Sequence, residues 1–263
     1  MKIPLRLEEP SLAEPRRRLS RGIFILPSIF TVGNIFLGYY AIIAAMRGDY
    51  DHAARAIGVA IILDILDGRI ARLTNTATGF GLQLDSLADL VSFGVAPSIL
   101  ALVWGLGPIN HRLGWIAAFT FTICGAIRLA RFNIQAGSLK HFVGMPIPAA
   151  GGTIAAIVHF FGEPVTNPFY SFVMTGTVFL LALLMVSTVR YDSLKQLTLE
   201  RKSHLTILVM ALLVALIYNY SRWTLLILAL AYGLSGPAHR LWTLLRRRKQ
   251  GAALHLSETA EEH

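Results

Sequence analysis

Apolar runs long enough to cross a bilayer recur along this chain, and no other feature restricts its fold as tightly. Hydrocarbon offers the backbone no hydrogen-bond partner, so each crossing segment must satisfy its own N–H and C=O groups. The runs cover 23–46, 53–73, 83–104, 112–133, 147–162, 168–189, 204–220 and 222–241, and their lengths are those of membrane helices. Charged residues make up 15% of the chain and the mean hydropathy is +0.57, whereas a soluble domain carries about 25% charged residues. The expectation is an all-α fold, a polytopic transmembrane helix bundle. The charge that persists through Arg21 and the length of the first run argue against a cleavable signal peptide.

The net charge of +9 is unevenly placed. With the N-terminus taken as cytoplasmic, only Arg47, Arg55, Arg112 and Arg222 fall on the outer side, and the remaining 20 Lys and Arg lie on or near the inner side. The positive-inside rule then puts both termini in the cytoplasm, with the link between the second and third runs at the same face. Attraction to anionic lipid headgroups accounts for the rest of the basic surplus, and no soluble basic domain exists to bind nucleic acid. The single cysteine, Cys124, excludes an intramolecular disulfide and a cysteine metal site.

Against this apolar background four aspartates stand out, Asp64 and Asp67 in the second run and Asp85 and Asp89 in the third. One carboxylate at the centre of a bilayer costs roughly 2.5–3.5 kcal/mol on insertion scales. Spacings of three and four residues place each pair on one helix face. Residues 73–82, LTNTATGFGL, suit a short turn that brings the two acidic faces together. Four converging carboxylates call for hard divalent cations, Mg²⁺ or a relative, with coordination positions left open for a substrate. Gly68 and Gly81 allow close approach of a ligand or backbone. Arg72, near the cytoplasmic end, supplies a bidentate donor for phosphate. Two other readings stand beside this one. The aspartates could be interhelical polar contacts with Arg72 as partner, or they could line a proton or ion pathway.

Asp64-x2-Asp67-Gly68-x2-Ala71-Arg72-x8-Gly81-x3-Asp85-x3-Asp89 resembles the complete signature of the CDP-alcohol phosphatidyltransferases. The resemblance implies a six-helix catalytic core in the membrane, set here at 21–190, and a homodimer. Two additional transmembrane helices in 191–242 fit the resemblance as well, and the short polar ends are expected to be a cytoplasmic N-terminal arm at 1–20 and a cytoplasmic tail at 243–263. The resemblance also implies a site for two divalent cations, Mg²⁺ or Mn²⁺, carried by Asp64, Asp67, Asp85 and Asp89. Asp89 would be the base that takes the proton of the attacking alcohol. Gly68, Arg72 and Gly81 would pack around the cytidine diphosphate group, with Thr78 a further contact.

Further stretches are similar to the phosphatidylserine synthase branch of that family: LPSIFTVGNIFLGYYAI (26–42), DSLADLVSFGVAP (85–97), CGAIRLARFN (124–133) and GMPIPAAGG (144–152). The branch implies CDP-diacylglycerol and L-serine as substrates, and phosphatidylserine and CMP as products. The lipid would enter from the bilayer, in a prokaryotic inner membrane. Sister enzymes that use glycerol phosphate, inositol phosphate or another alcohol share the aspartates, and a cation-coupled transporter is the alternative of a different class.

Flanking polar residues complete the candidates. Thr31 and Asn34 in the first run would contact the cytidine nucleotide or bridge helices. Arg128, Arg131, Asn133 and Lys140 would hold a carboxylate or phosphate, or act as snorkelling interface anchors. PIPAAGG would start a tightly packed helix. Trp104, Trp115, Trp223 and Trp242 fall near span ends, as interfacial anchors do. His52, His159, His204 and His239 show no ligand spacing, and no role follows for them.

Overall fold

The computed structural model describes residues 21–73, 78–106, 111–135, 144–189 and 221–238, without the side chains of 21–28, 71–73, 111 and 135. The helices are α1 Arg21–Met46, α2 Tyr50–Leu73, α3 Gly79–Leu106, α4 His111–Gln135, α5 Ile147–Phe161, α6 Pro168–Val186 and α7 over 221–238. No strand occurs among the described residues. The expected run at 204–220, the terminal arm, the tail, Lys140 and Trp242 lie outside them.

Four helices, α1, α3, α4 and α6, are both long and apolar enough to cross a membrane. The protein is therefore an integral membrane protein. Two helices differ for reasons that their sequences explain. α2 carries the first aspartate pair together with Asp51, Arg55 and Arg69, yet its 24 residues extend about 36 Å, which matches a spanning length. α5 has only 15 residues, about 22 Å, and falls short of the hydrocarbon thickness. Helix α5 is buried on most of its surface, from Ile147 and Ala150 through Val158 and His159.

Short connections make neighbours antiparallel. Between α1 and α2 the chain turns through Gly48 at φ +80°, a conformation open to glycine without strain. Asp49 then accepts from the His52 N–H at 3.4 Å as the N-cap of α2. The turn between α2 and α3 is tighter than residues 73–82 suggested. Thr78 caps α3 by accepting from the Gly81 N–H at 3.0 Å, so Gly79 and Gly81 already lie in the helix. At the other end of α5, Gly162 closes the helix with φ +72°.

Two π-helical stretches, Leu90–Val95 and Leu102–Leu106, interrupt α3. Pro97 has no N–H to return to Phe93, and the Ala96 N–H reaches back five residues to Val91. The freed Phe93 carbonyl faces Gly151 of α5 so closely that a Cβ there would sit 2.7 Å from the oxygen. At the second stretch, the Trp104 and Gly105 carbonyls accept from the Val165 N–H at 3.0 Å and the Ser171 hydroxyl at 2.6 Å. Neighbouring segments thus satisfy backbone groups that the wider turns release.

Trp104 lies inside this packing, 2% exposed and with its ring 6.2 Å from that of Phe161. The expectation of an interfacial anchor is wrong for Trp104, because the second π stretch turns its side chain into the bundle. Trp115 and Trp223 are exposed.

Helices α1 and α3 touch at Gly38, where an added Cβ would meet the Ser92 hydroxyl at 2.5 Å and the Ser92 Cα at 2.8 Å. The Ser92 hydroxyl donates to the Asn34 carbonyl at 2.8 Å in the same contact. Gly38→Ala must push the helices apart, and overpacking of this kind costs about 1–3 kcal/mol. The expected result is a lower unfolding temperature in detergent for Gly38→Ala. An unchanged temperature would show that the contact yields freely.

Candidate active site

Spacing on two antiparallel helices builds the site. Asp64 and Asp67 stand one turn apart on α2, and Asp85 and Asp89 one turn apart on α3, just before the first π stretch. Carboxylate oxygens of Asp64, Asp85 and Asp89 lie within 4.8 Å of one another. Asp64 and Asp89 face each other at hydrogen-bonding range, and both lie within electrostatic reach of Asp85.

Asp67 stands beside this trio rather than in it. It is 5% exposed, and its Oδ2 accepts from the Thr31 hydroxyl of α1 at 2.5 Å. Its charge still acts on Asp64 and Asp85. Three buried oxygens, Asp67 Oδ1, Asp89 Oδ1 and Asn34 Oδ1, have no hydrogen-bond partner among the described residues. All three are acceptors. Leaving such an oxygen buried and unpaired costs about 1–3 kcal/mol, and more when it is charged. A cation satisfies several carboxylate oxygens at once, so this donor set fits a hard divalent ion.

The remaining candidates divide by position. Arg128 of α4 is half-buried, within electrostatic reach of Asp89 and Asp64, and packs over the Phe132 ring at 5.9 Å. Asn34 of α1 is 2% exposed, one helical turn from Thr31 on the same face. Gly68 is exposed, directly after Asp67. At Gly81 a Cβ would come within 3.2 Å of the Thr78 hydroxyl oxygen, so glycine there keeps the cap tight. The side chain of Arg72 lies outside the described residues.

Two cationic or amide candidates turn to neighbouring helices. Arg131 donates to the Val186 carbonyl at 3.3 Å, at the C-terminal end of α6, where cations complement the helix dipole. Asn133 donates to the Ser86 hydroxyl at 3.0 Å and to Gln83 Oε1 at 3.4 Å. It braces α3 next to Asp85. The sequence reading missed this bracing, which becomes visible only when α4 crosses α3.

Comparison with known proteins gives the family. Residues 24–189 match the CDP-alcohol phosphatidyltransferase family. The chain is 36% identical over 232 residues to a CDP-diacylglycerol–serine O-phosphatidyltransferase of Helicobacter pylori, covering 80% of this chain and 95% of that one. It is 37% identical over 171 residues to the enzyme of the same name from Bacillus subtilis, covering 65% of this chain and 92% of the relative. An archaetidylserine synthase of Methanothermobacter thermautotrophicus is 32% identical over 169 residues, with 63% of this chain and 69% of the relative covered. A carboxylate cluster held between helices and a match over most of the helical core lead to one conclusion: this chain belongs to the CDP-alcohol phosphatidyltransferase family.

Proposed function

We propose that the protein transfers the phosphatidyl group of CDP-diacylglycerol to the hydroxyl of L-serine, giving phosphatidylserine and CMP. The observation that carries the reading is the convergence of Asp64, Asp85 and Asp89, with Asp89 Oδ1 buried and unpartnered. The names of the relatives support serine as the alcohol.

In this reading Asp89 accepts the proton of the serine hydroxyl as that oxygen bonds to the lipid-side phosphorus. The phosphorus–oxygen bond to CMP breaks, and CMP leaves with the bonding pair. Two divalent cations, Mg²⁺ or Mn²⁺, held by Asp64, Asp67, Asp85 and Asp89, would neutralise the diphosphate and stabilise the leaving phosphate. Thr31 orients Asp67 through its hydroxyl. Asn34 offers its unpartnered Oδ1 to a cytosine amino group or ribose hydroxyl. Gly68, Gly81, Thr78 and Arg72 would surround the CDP moiety, the first two by leaving room and Arg72 by its charge.

Arg128 would take the serine carboxylate, since its guanidinium is within electrostatic reach of the proposed base. Arg131 and Asn133 brace α6 and α3 on either side of Arg128, and the proposal of Lys140 as a carboxylate or phosphate contact rests on the sequence alone. The reaction would take place at the cytoplasmic face of a prokaryotic inner membrane, where the positive-inside count puts this end of the bundle. Lipid enters from the bilayer and serine from the cytoplasm. The homodimer rests on the family resemblance alone.

The test is CMP release by purified protein in detergent with CDP-diacylglycerol, Mn²⁺ or Mg²⁺, and one alcohol at a time. Serine-dependent release is expected. Release with glycerol phosphate or inositol phosphate in its place would keep the reaction and discard serine. Ion flux into liposomes without CMP release would favour a transporter.

A further inference from the structure

Asp85 and Asp89 sit at the end of the first α-helical part of α3, which turns π-helical from Leu90 to Val95. Backbone hydrogen bonds hold a helix together but do not fix its rotation against its neighbours. Packing and interhelical bonds do that. On either side of Asp89, side chains of α3 reach a different helix. Ser92, three residues after Asp89, donates to the Asn34 carbonyl of α1 at 2.8 Å.

On the other side, the Asn133 amide of α4 meets two residues of α3. Its Nδ2 donates to the Ser86 hydroxyl oxygen at 3.0 Å and to Gln83 Oε1 at 3.4 Å. The Ser86 hydroxyl proton goes back to the Leu82 carbonyl at 3.0 Å, which leaves the hydroxyl oxygen to accept. An amide nitrogen has two hydrogens, and both are committed here. Gln83 and Ser86 are three residues apart and share a face, with Asp85 between them in the sequence.

Two bonds to one face fix both the rotation of α3 and its position along α4, where one bond would leave a pivot. The restraint matters because carboxylate oxygens of Asp64, Asp85 and Asp89 lie within 4.8 Å of one another and repel without a cation. A small rotation of α3 would relieve that repulsion by carrying Asp85 and Asp89 away from Asp64 on α2. Site geometry of this kind tolerates errors of about 0.5 Å and roughly 10–20°. Asn133 and Ser86 hold the helix against that rotation, and neither carries a charge that would compete for the cation.

We propose that Asn133 is a positioning residue for the cation site: its grip on Gln83 and Ser86 holds Asp85 and Asp89 in the rotation that faces Asp64. The inference rests on the two-cation reading above. Asn133 acts through α3 and touches neither the cation nor the reacting atoms.

The experiment measures Mn²⁺ binding to the purified full chain in detergent by the electron paramagnetic resonance signal of free Mn²⁺, with no lipid or serine present. Asn133→Ala and Ser86→Ala are each expected to raise the Kd for Mn²⁺ roughly three- to ten-fold, the scale of one lost hydrogen bond. The double variant should bind as Asn133→Ala does, because both changes remove the same bond. Ser98→Ala controls for lost stability alone. It removes another bond between α3 and α4, from the Thr122 hydroxyl at 3.0 Å, nine residues beyond Asp89. It should lower the unfolding temperature and leave the Kd for Mn²⁺ at the wild-type value.

An unshifted Kd in Asn133→Ala and Ser86→Ala, or an equal rise in Ser98→Ala, would overturn the inference. So would a raised KM for serine in Asn133→Ala at wild-type Kd for Mn²⁺, the result for a residue that touches the alcohol. Should Asn133→Ala fail to fold, Ser86→Ala decides alone. Wild-type Mn²⁺ binding that survives Asp85→Asn overturns the two-cation reading and this inference together. Binding that Asp85→Asn abolishes but Asn133→Ala and Ser86→Ala leave unshifted overturns the inference only.

Discussion

Asp89→Asn is expected to lower CMP release on the order of 10³-fold, within the range a positioned general base contributes. The substitution keeps the size and shape of the side chain and removes the negative charge. An amide nitrogen cannot accept a proton from the alcohol. The fold should survive, because a neutral amide replaces a carboxylate already crowded by Asp64 and Asp85. The measurement pairs CMP release with thermal unfolding of the same sample. A folded Asp89→Asn protein that keeps a tenth or more of its activity would take the base role away from Asp89.

Removal of divalent cations should be equally severe. Chelation with EDTA is expected to abolish turnover, and added Mn²⁺ or Mg²⁺ to restore it. The physical ground is the group of three carboxylates within 4.8 Å of one another, with an unpartnered buried oxygen on Asp89 and another on neighbouring Asp67. Such a group repels itself without a cation. Binding only to the folded state adds about 2.7 kcal/mol of stability at a hundred-fold excess over Kd. Mn²⁺ should therefore raise the unfolding temperature of wild type by several degrees and leave that of Asp85→Asn nearly unmoved. Equal shifts in both proteins would place the cation elsewhere.

These two effects depend on residues that were readable in the chain, because helical spacing is a local property. Asp64 and Asp67 share a face of α2 for the same reason that Asp85 and Asp89 share one of α3. Helix ends were legible within a few residues wherever an apolar run stopped at a glycine, proline or capping side chain, as at Gly48, Gly162 and Pro168. The start of α3 was less so. Thr78 and the two glycines after it look like loop by composition, yet one hydroxyl–amide bond from Thr78 to Gly81 begins the helix.

The placement of Trp104, Arg131 and His159 was not legible, and the cause is common to all three. Each was judged from its own run, as an anchor, a substrate contact or a residue without a role. Each is decided by a partner on another helix: Phe161 for Trp104, the Val186 carbonyl for Arg131, and Asp51 with Ser221 for His159. The π stretches in α3 belong with them, since the wider turns persist where Gly151, Val165 and Ser171 meet the released carbonyls.

By itself, the sequence determined that the chain is a bundle of membrane helices with four carboxylates presented in pairs, because hydrophobic length and helical period act over a few turns. Only the tertiary structure decided that three of those carboxylates close into one cluster while Asp67 turns to Thr31. It also decided that Arg128 comes within electrostatic reach of the cluster while Arg131 bonds the last carbonyl of α6. Those choices depend on how α1, α2, α3, α4 and α5 cross, and crossing is set by close packing at residues such as Gly38 and Gly151, whose partners lie on other runs of sequence.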